Sequence, residues 1–137
     1  MIKYITFQEY EEACRQFESK HWASLRERKQ HEEELHKLYG KLRPEVGMGC
    51  TEILWSDRRA HTVVEVLSPN KVAVRENKTV CKDYFADEYE ILDELQGGAD
   101  VYTRRRSGRW VMEGQPDRNG SVVLLLGTRY HSIDPSF

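Results

Sequence analysis

The sequence is short of cysteine and has no long apolar stretch. Its three cysteines, Cys14, Cys50 and Cys81, are far apart within 137 residues. An odd number of widely spaced cysteines argues against a disulfide framework and against a zinc site built on close pairs, so we expect buried free thiols. No apolar run approaches the length that a bilayer requires, and the start MIKYITFQEYEEA lacks the features of a signal peptide. We therefore expect a cytoplasmic protein with no membrane partner.

Signatures of catalysis and of cofactor binding are also missing. His31 and His36 in HEEELH are five residues apart, so on a helix they diverge by about 140° and do not form the HExxH zinc motif. The stretch VGMGCTE begins like a glycine-rich nucleotide loop but has Glu52 in place of the third glycine. Cys50 beside it has no identifiable base. We predict no catalytic residue, no metal site, no cofactor and no enzymatic activity.

The first part of the chain has the pattern of a long helix. Thr6 and Glu9 form a capping box, which predicts that a helix begins at about Phe7. No glycine or proline follows before Gly40, which is suited to end the helix. The sequence therefore predicts a helical arm over residues 1–45, either as one helix of about 33 residues or as a helical hairpin.

The apolar seam of this arm has a polar centre. Its apolar ends favour a homodimer through residues 7–42, and its polar centre favours a helical hairpin that reverses near Ala23 and Ser24. Both alternatives stay open. The positions of the seam follow a three-four spacing: Phe7, Tyr10, Cys14, Phe17, His21, Ser24, Arg28, His31, Leu35, Leu38 and Leu42.

From Val46 onward the hydrophobic period changes to two, which is typical of strands. Short β-branched runs alternate with turn residues such as SDRR and SPN, and Gly97 and Gly98 suggest a further loop. Five to seven short strands predict a small antiparallel, β-barrel-like (SH3-like) domain over residues 46–137. The expected fold class is therefore α+β.

Four arginines are concentrated in the stretch YTRRRSGRWVMEG. If Ser107 and Gly108 form a two-residue hairpin turn, Arg106 faces Arg109, and Tyr102 and Arg104 share their face of the sheet. Guanidinium groups crowded on one face favour anions. The predicted anion-binding or nucleotide-binding residues are Arg58, Arg59, Tyr102, Arg104, Arg106, Arg109, Arg129 and Tyr130.

An acidic block directly precedes the arginines. Residues 83–100 contain seven acidic and no basic side chains, whereas residues 101–137 contain six basic and three acidic ones. The two regions either pair with each other across the surface or face different partners. In the second case the acidic side chains can imitate phosphates and form a partner-binding patch of Asp83, Asp87, Glu88, Glu90, Asp93 and Glu94.

Three motifs resemble a family of small, largely uncharacterised bacteriophage and prophage accessory proteins. They are VGMGCTEILWSDRRAHTVVEV, RRRSGRWVMEG and the closing YHSIDPSF, and together they span Val46 to Phe137. The resemblance implies a phage protein in the host bacterial cytoplasm, and we expect a non-enzymatic, anti-CRISPR-like inhibitor that binds a host defence protein or nucleoprotein. The alternatives are a nucleotide-binding or nucleic-acid-binding module, such as a cyclic-nucleotide sponge using the arginine face, and a phage structural or assembly protein.

Overall fold

The computed structural model describes residues 3–133 as two helices and six strands, which confirms the α+β class. The backbone separates into two compact units between Arg43 and Pro44, close to the predicted boundary after residue 45. The first unit holds both helices and the second holds all six strands. Residues 134–137, which include most of the IDPSF motif, lie outside the described residues.

Two helices replace the predicted continuous one. Helix α1 spans Phe7–Ser19 and helix α2 spans Leu25–Tyr39. Between them Ser24 adopts an extended backbone, and its hydroxyl accepts a hydrogen bond from the amide of Glu27 at 3.2 Å. A serine hydroxyl that caps a new helix competes with continuation of the preceding one, so of the two alternatives the continuous helix is wrong. The break lies where the polar centre of the seam favours a reversal.

Aromatic residues of the seam contact neighbouring aromatic residues within the first unit. The rings of Tyr10 and Tyr39 lie 5.9 Å apart, and Trp22 lies 5.0 Å from Phe17 and 4.6 Å from His31. These contacts join α1 and the segment after it to α2, as the hairpin alternative requires.

Six strands form a closed antiparallel ring, in agreement with the predicted barrel-like sheet. Each strand pairs with the next, and β1 also pairs with β6. The predicted SDRR turn joins β1 to β2, whereas Gly97 and Gly98 lie within β4 and not in a loop. The strands are β1 (Gly49–Ile53), β2 (Arg58–Ser68), β3 (Lys71–Asp83), β4 (Glu88–Arg104), β5 (Trp110–Met112) and β6 (Val123–Leu126).

Large side chains from all six strands fill the ring. Alternation along paired strands brings Tyr102 next to Val72, and Trp110 next to Leu124. Burial of one such side chain contributes about 1.5–3 kcal/mol to folding. The buried residues of the ring include Cys50, Val63, Val72, Val74, Tyr102, Trp110, Leu124 and Leu126.

Strands β3 and β4 are longer than the ring requires. β3 pairs with β2 only as far as Glu76, and β4 pairs with β5 only from Tyr102 to Arg104. Beyond these points β3 and β4 pair with each other up to a turn at residues 84–87. We call residues 79–94 the distal hairpin. It carries six acidic residues and one lysine.

Candidate functional site

The arginine hairpin has a different register from the predicted one. Arg104 pairs with Trp110, and the amide of Arg105 donates to the carbonyl of Arg109 at 2.9 Å. The connection is therefore three residues long, and Gly108 adopts a φ of 88°, as the last residue of such a turn requires. The prediction that Arg106 faces Arg109 is wrong by one position.

This register disperses the predicted arginine face. Tyr102 lies buried inside the ring, so it cannot stack on a base. The guanidinium group of Arg104 lies 4.7 Å from the centre of the Trp110 ring, and that of Arg109 lies 3.6 Å from a carboxylate oxygen of Asp117. Each of these two guanidinium groups has its own partner. The hairpin therefore does not present the cluster of solvent-exposed arginines that the sequence suggested.

Arg58 and Arg59 hold the turn between β1 and β2. The Nη1 atom of Arg58 donates to the carbonyls of Leu54 and Asp57, both at 3.1 Å. Arg59 forms ion pairs with Asp57 at 3.6 Å and with Glu76 at 3.4 Å. Both side chains thus stabilise the fold locally instead of projecting from the tip of a loop.

Arg129 and Tyr130 follow β6. Arg129 donates from Nη2 to the hydroxyl of Thr62 at 2.9 Å and packs against Gly49. Tyr130 has an exposed ring, and its amide donates to the hydroxyl of Thr51 at 2.9 Å. Of the eight predicted anion-binding residues, Tyr130 and Arg106 are thus exposed with their side chains free of these internal contacts in residues 3–133.

Two of the six predicted acidic residues support the hairpin itself. Asp83 accepts hydrogen bonds from the amides of Phe85 and Ala86, at 3.1 and 3.2 Å, and so closes the turn. Glu94 forms an ion pair of 2.7 Å with Lys78 on the neighbouring strand.

A third acidic residue ties the hairpin to the chain's end. Asp87 accepts hydrogen bonds from the hydroxyl of Ser132 and from the amide of Ile133. Next to it the rings of Tyr89 and His131 meet edge to face at 4.7 Å. The distal hairpin is therefore anchored on one side.

The remaining three acidic residues face solvent. The carboxylates of Glu88, Glu90 and Asp93 are exposed and make no hydrogen bond or ion pair with any other residue between 3 and 133. At the tip, Tyr84 and Phe85 meet edge to face at 5.8 Å and are 51% and 95% exposed. The distal hairpin thus combines unpaired carboxylates with two exposed aromatic rings.

A second cluster, which the sequence analysis missed, lies in the ring. Glu52 on β1, His61 on β2 and Asp100 on β4 bring one nitrogen and two oxygen atoms within 4.8 Å of one another. Glu52 and His61 are only 8% and 2% exposed, whereas Asp100 is exposed. The hydroxyl of Tyr102 donates to Oε2 of Glu52 at 2.5 Å. We call Glu52, His61 and Asp100 the carboxylate–imidazole cluster.

Hydrogen bonding fixes the imidazole of the cluster. Nδ1 of His61 lies 2.9 Å from the carbonyl oxygen of Arg59. A carbonyl only accepts, so Nδ1 carries the proton and Nε2 points toward Glu52, 3.7 Å from Oε2. The cluster opens into a cavity of about 490 Å³ that is also lined by Glu76, Gln96, Gly97, Gly98 and Ala99.

The sequence contains a partial signal for this cluster. Glu52 shares its strand face with the buried Cys50, and His61 shares its face of β2 with the buried Val63. Polar residues at such positions indicate a buried polar site. Asp100 could not be added from the sequence, because the preceding glycines suggested a loop and no spacing relates residues that are 48 positions apart.

Burial changes the pKa values of several groups in the ring. It raises the pKa of Tyr102, and the hydrogen bond to Glu52 raises that pKa further, so the hydroxyl keeps its proton. Burial also raises the pKa of the Cys50 thiol to about 12, which excludes a reactive thiolate at neutral pH. Cys81 is exposed and Cys14 is half-buried, so the prediction of buried thiols is correct for Cys50 alone.

Two further observations bear on the class of protein. Between residues 3 and 133, neither helix is long and apolar enough to cross a membrane. Comparisons with protein-family models, with curated proteins and with solved structures found no match to this chain.

Proposed function

We propose that this protein acts by binding a partner protein through the distal hairpin, and that the surface it binds is cationic. The observation that carries this proposal is the set of three exposed carboxylates, Glu88, Glu90 and Asp93, beside the exposed rings of Tyr84 and Phe85. No other segment between residues 3 and 133 combines unpaired acidic groups with a pair of exposed aromatic rings.

The charges of the hairpin repel one another in the free protein. Glu88 and Glu90 are two residues apart and so lie on one face of β4. Glu88 also lies directly opposite Asp83 on β3, where like charges are destabilising. A cationic surface would relieve this repulsion, and the negative field of the hairpin would accelerate the encounter.

The aromatic tip and the anchored turn suit a tight contact. Aromatic side chains contribute disproportionately to binding energy when a partner removes them from water, as Tyr84 and Phe85 allow. The bonds from Asp87 to Ser132 and Ile133 fix the hairpin before binding, which lowers the entropy lost on association.

The partner that we propose is a nucleic-acid-binding protein of bacterial immunity. Carboxylates in a row along a strand can occupy a channel that normally holds phosphates. The resemblance of three sequence motifs to phage accessory proteins supports the same partner. The protein would then be a non-enzymatic inhibitor, acting in the host cytoplasm by occupying the nucleic-acid channel of a CRISPR effector or a similar defence protein.

A charge-matched comparison tests this proposal. Purified CRISPR effectors are incubated with the wild-type protein, and target DNA binding is measured together with the affinity of the protein for each effector. The test variant is Glu88→Gln, Glu90→Gln, Asp93→Asn, which leaves the structural acids of the hairpin in place. The control variant is Glu11→Gln, Glu18→Gln, Glu33→Gln, which removes three exposed carboxylates from the helices.

The two variants have the same net charge, so they separate the hairpin from a general charge effect. We expect the hairpin variant to bind about tenfold more weakly or worse, mainly through slower association, and to lose inhibition. The helix variant should behave like the wild type. Undiminished binding by the hairpin variant would contradict the proposed surface, and wild-type protein that binds no effector would contradict the proposed partner.

A further inference from the structure

We infer that the carboxylate–imidazole cluster is a binding site for a divalent transition-metal cation, of which zinc fits best. The site lies inside the ring and does not depend on the binding proposed for the distal hairpin. Its ligands would be Nε2 of His61 and one carboxylate oxygen each from Glu52 and Asp100.

The donor set matches this class of cation. An imidazole nitrogen suits zinc and similar transition metals, whereas magnesium and calcium prefer oxygen ligands alone. Three protein ligands of these types, with a fourth position left to water or another ligand, are typical of zinc sites that are open to solvent.

One distance within the cluster is too long for a hydrogen bond and is compatible with a shared metal ion. Nε2 of His61 lies 3.7 Å from Oε2 of Glu52. A hydrogen bond would bring these atoms to about 2.7–3.2 Å. Two ligands of one tetrahedral zinc ion lie about 3.3–3.6 Å apart for bonds of about 2.0–2.2 Å. The two buried ligands are therefore close to the separation that a metal requires.

The surroundings orient both buried ligands. Ligating histidines usually donate their other ring N–H to a carbonyl or a carboxylate, and Nδ1 of His61 does so to the carbonyl of Arg59. In the neutral tautomer with Nδ1 protonated, Nε2 is an acceptor that faces the acceptor oxygen Oε2 of Glu52. The hydroxyl of Tyr102 donates to Oε2 of Glu52, the oxygen that faces His61, and so fixes this carboxylate. A cation between the two acceptors would satisfy both.

The third ligand, Asp100, and the coordination position left to water lie on the solvent-exposed side of the cluster. The ligand atoms lie up to 4.8 Å apart, so Asp100 must move inward by about 1 Å to complete a zinc site. Asp100 is exposed and can make this movement. The cavity in front of the cluster is bordered by Gly97 and Gly98, where an added Cβ would meet no atom within 4 Å. Water and a metal ion can therefore enter.

Titration of the full chain with zinc chloride tests this inference. Protein freed of metal with a chelator is studied by calorimetry, and cobalt chloride is used in parallel for its absorption spectrum. We expect one zinc ion per chain and a cobalt spectrum without a thiolate band. Asp100→Asn should weaken zinc binding about tenfold or more, and the exposed position of this residue preserves the fold.

Matched controls locate the site. Glu65→Gln removes an exposed carboxylate of β2, and His36→Gln removes an exposed histidine of α2; both should bind zinc like the wild type. His61→Gln should bind more weakly, with circular dichroism as a check of folding. Wild-type protein that does not bind zinc, a cobalt–thiolate band, or unchanged affinity in Asp100→Asn would each overturn the site.

Discussion

The hydroxyl of Tyr102 donates a hydrogen bond of 2.5 Å to the carboxylate of Glu52 inside the ring, and so joins β4 to β1. Both residues are buried. Tyr102→Phe would leave this carboxylate without its buried donor. We expect the free energy of unfolding to fall by about 1–3 kcal/mol, measured by urea denaturation.

Tyr84→Phe is the control for this prediction. It removes the same hydroxyl from an exposed ring at the hairpin tip, so the free energy of unfolding should change by less than about 0.5 kcal/mol. Equal stability of Tyr102→Phe and the wild type would show that the buried hydrogen bond makes no net contribution.

Gly49 leaves room for the side chain of Arg129. A Cβ at position 49 would lie 2.8 Å from Cγ of Arg129, which is closer than Cβ atoms in proteins come to non-bonded atoms. Gly49→Ala should therefore lower the free energy of unfolding by about 1–3 kcal/mol. The loss should shrink when Arg129→Ala is introduced first, as a double-mutant cycle measures.

A second glycine provides the control for this cycle. Gly98→Ala places its methyl group where no atom lies within 4 Å, so it should be nearly neutral. If Gly49→Ala lowered the free energy of unfolding as much in the Arg129→Ala background as in the wild type, the steric explanation would be disproved.

The three thiols should differ strongly in reactivity. Cys50 is buried with a pKa raised to about 12, whereas Cys81 is exposed. With a maleimide at neutral pH, we expect Cys81 to react first and Cys50 only after denaturation. Peptide mapping by mass spectrometry identifies the labelled residue. Labelling of native Cys50 in a Cys81→Ser variant, at the rate of Cys81 in the wild type, would contradict the burial.

His131 should make the protein less stable in mild acid. Burial lowers the pKa of this imidazole below its ordinary value of 6.5, and Arg59 lowers it further, while Glu76, Asp87 and Asp57 act in the opposite direction. As the pH falls through 6.5, the unfolded chain binds a proton that the folded chain does not, so the free energy of unfolding decreases. Well above pH 6.5 the histidine is neutral in both states, so it does not make the free energy of unfolding depend on pH.

Denaturation between about pH 7.5 and 5.5 tests this dependence, because carboxylates titrate mostly below that range. His131→Gln should lose part of the decrease that the wild type shows. His21→Gln, which changes an exposed histidine of the first unit, should retain it. An identical slope in the wild type and His131→Gln would contradict the lowered pKa.

Local signals allowed the sequence to predict much of the fold. The capping box is confirmed by the hydrogen bond from the Glu9 amide to the Thr6 hydroxyl, and the SDRR turn is confirmed by the bond from the Leu54 amide to the Asp57 carbonyl. Such signals depend on residues only three or four positions apart. The change from a helical to a strand period also placed the boundary between the units near its position in the structure.

Other features depend on choices that local patterns leave open. Ser24 is compatible with the interior of a helix and with its start. In the structure it starts α2, and the aromatic rings of Phe17 and Trp22 pack together just before it. Ser107 and Gly108 are compatible with a turn of two residues or of three. The longer turn shifts the register by one residue, and Tyr102 then lies in the core and not on the predicted exposed face. The carboxylate–imidazole cluster joins three strands, so only the closed ring could reveal it.

The extension of β3 and β4 beyond the ring leaves their outer backbone groups without a neighbouring strand. Between Glu88 and Asp100, no strand formed by residues 3–133 pairs with the outer side of β4. Such an edge is a template for pairing with another copy, and charged side chains prevent that pairing. The acidic residues of the hairpin therefore also protect the protein from aggregation, and variants that neutralise them require light scattering before their loss of binding is interpreted.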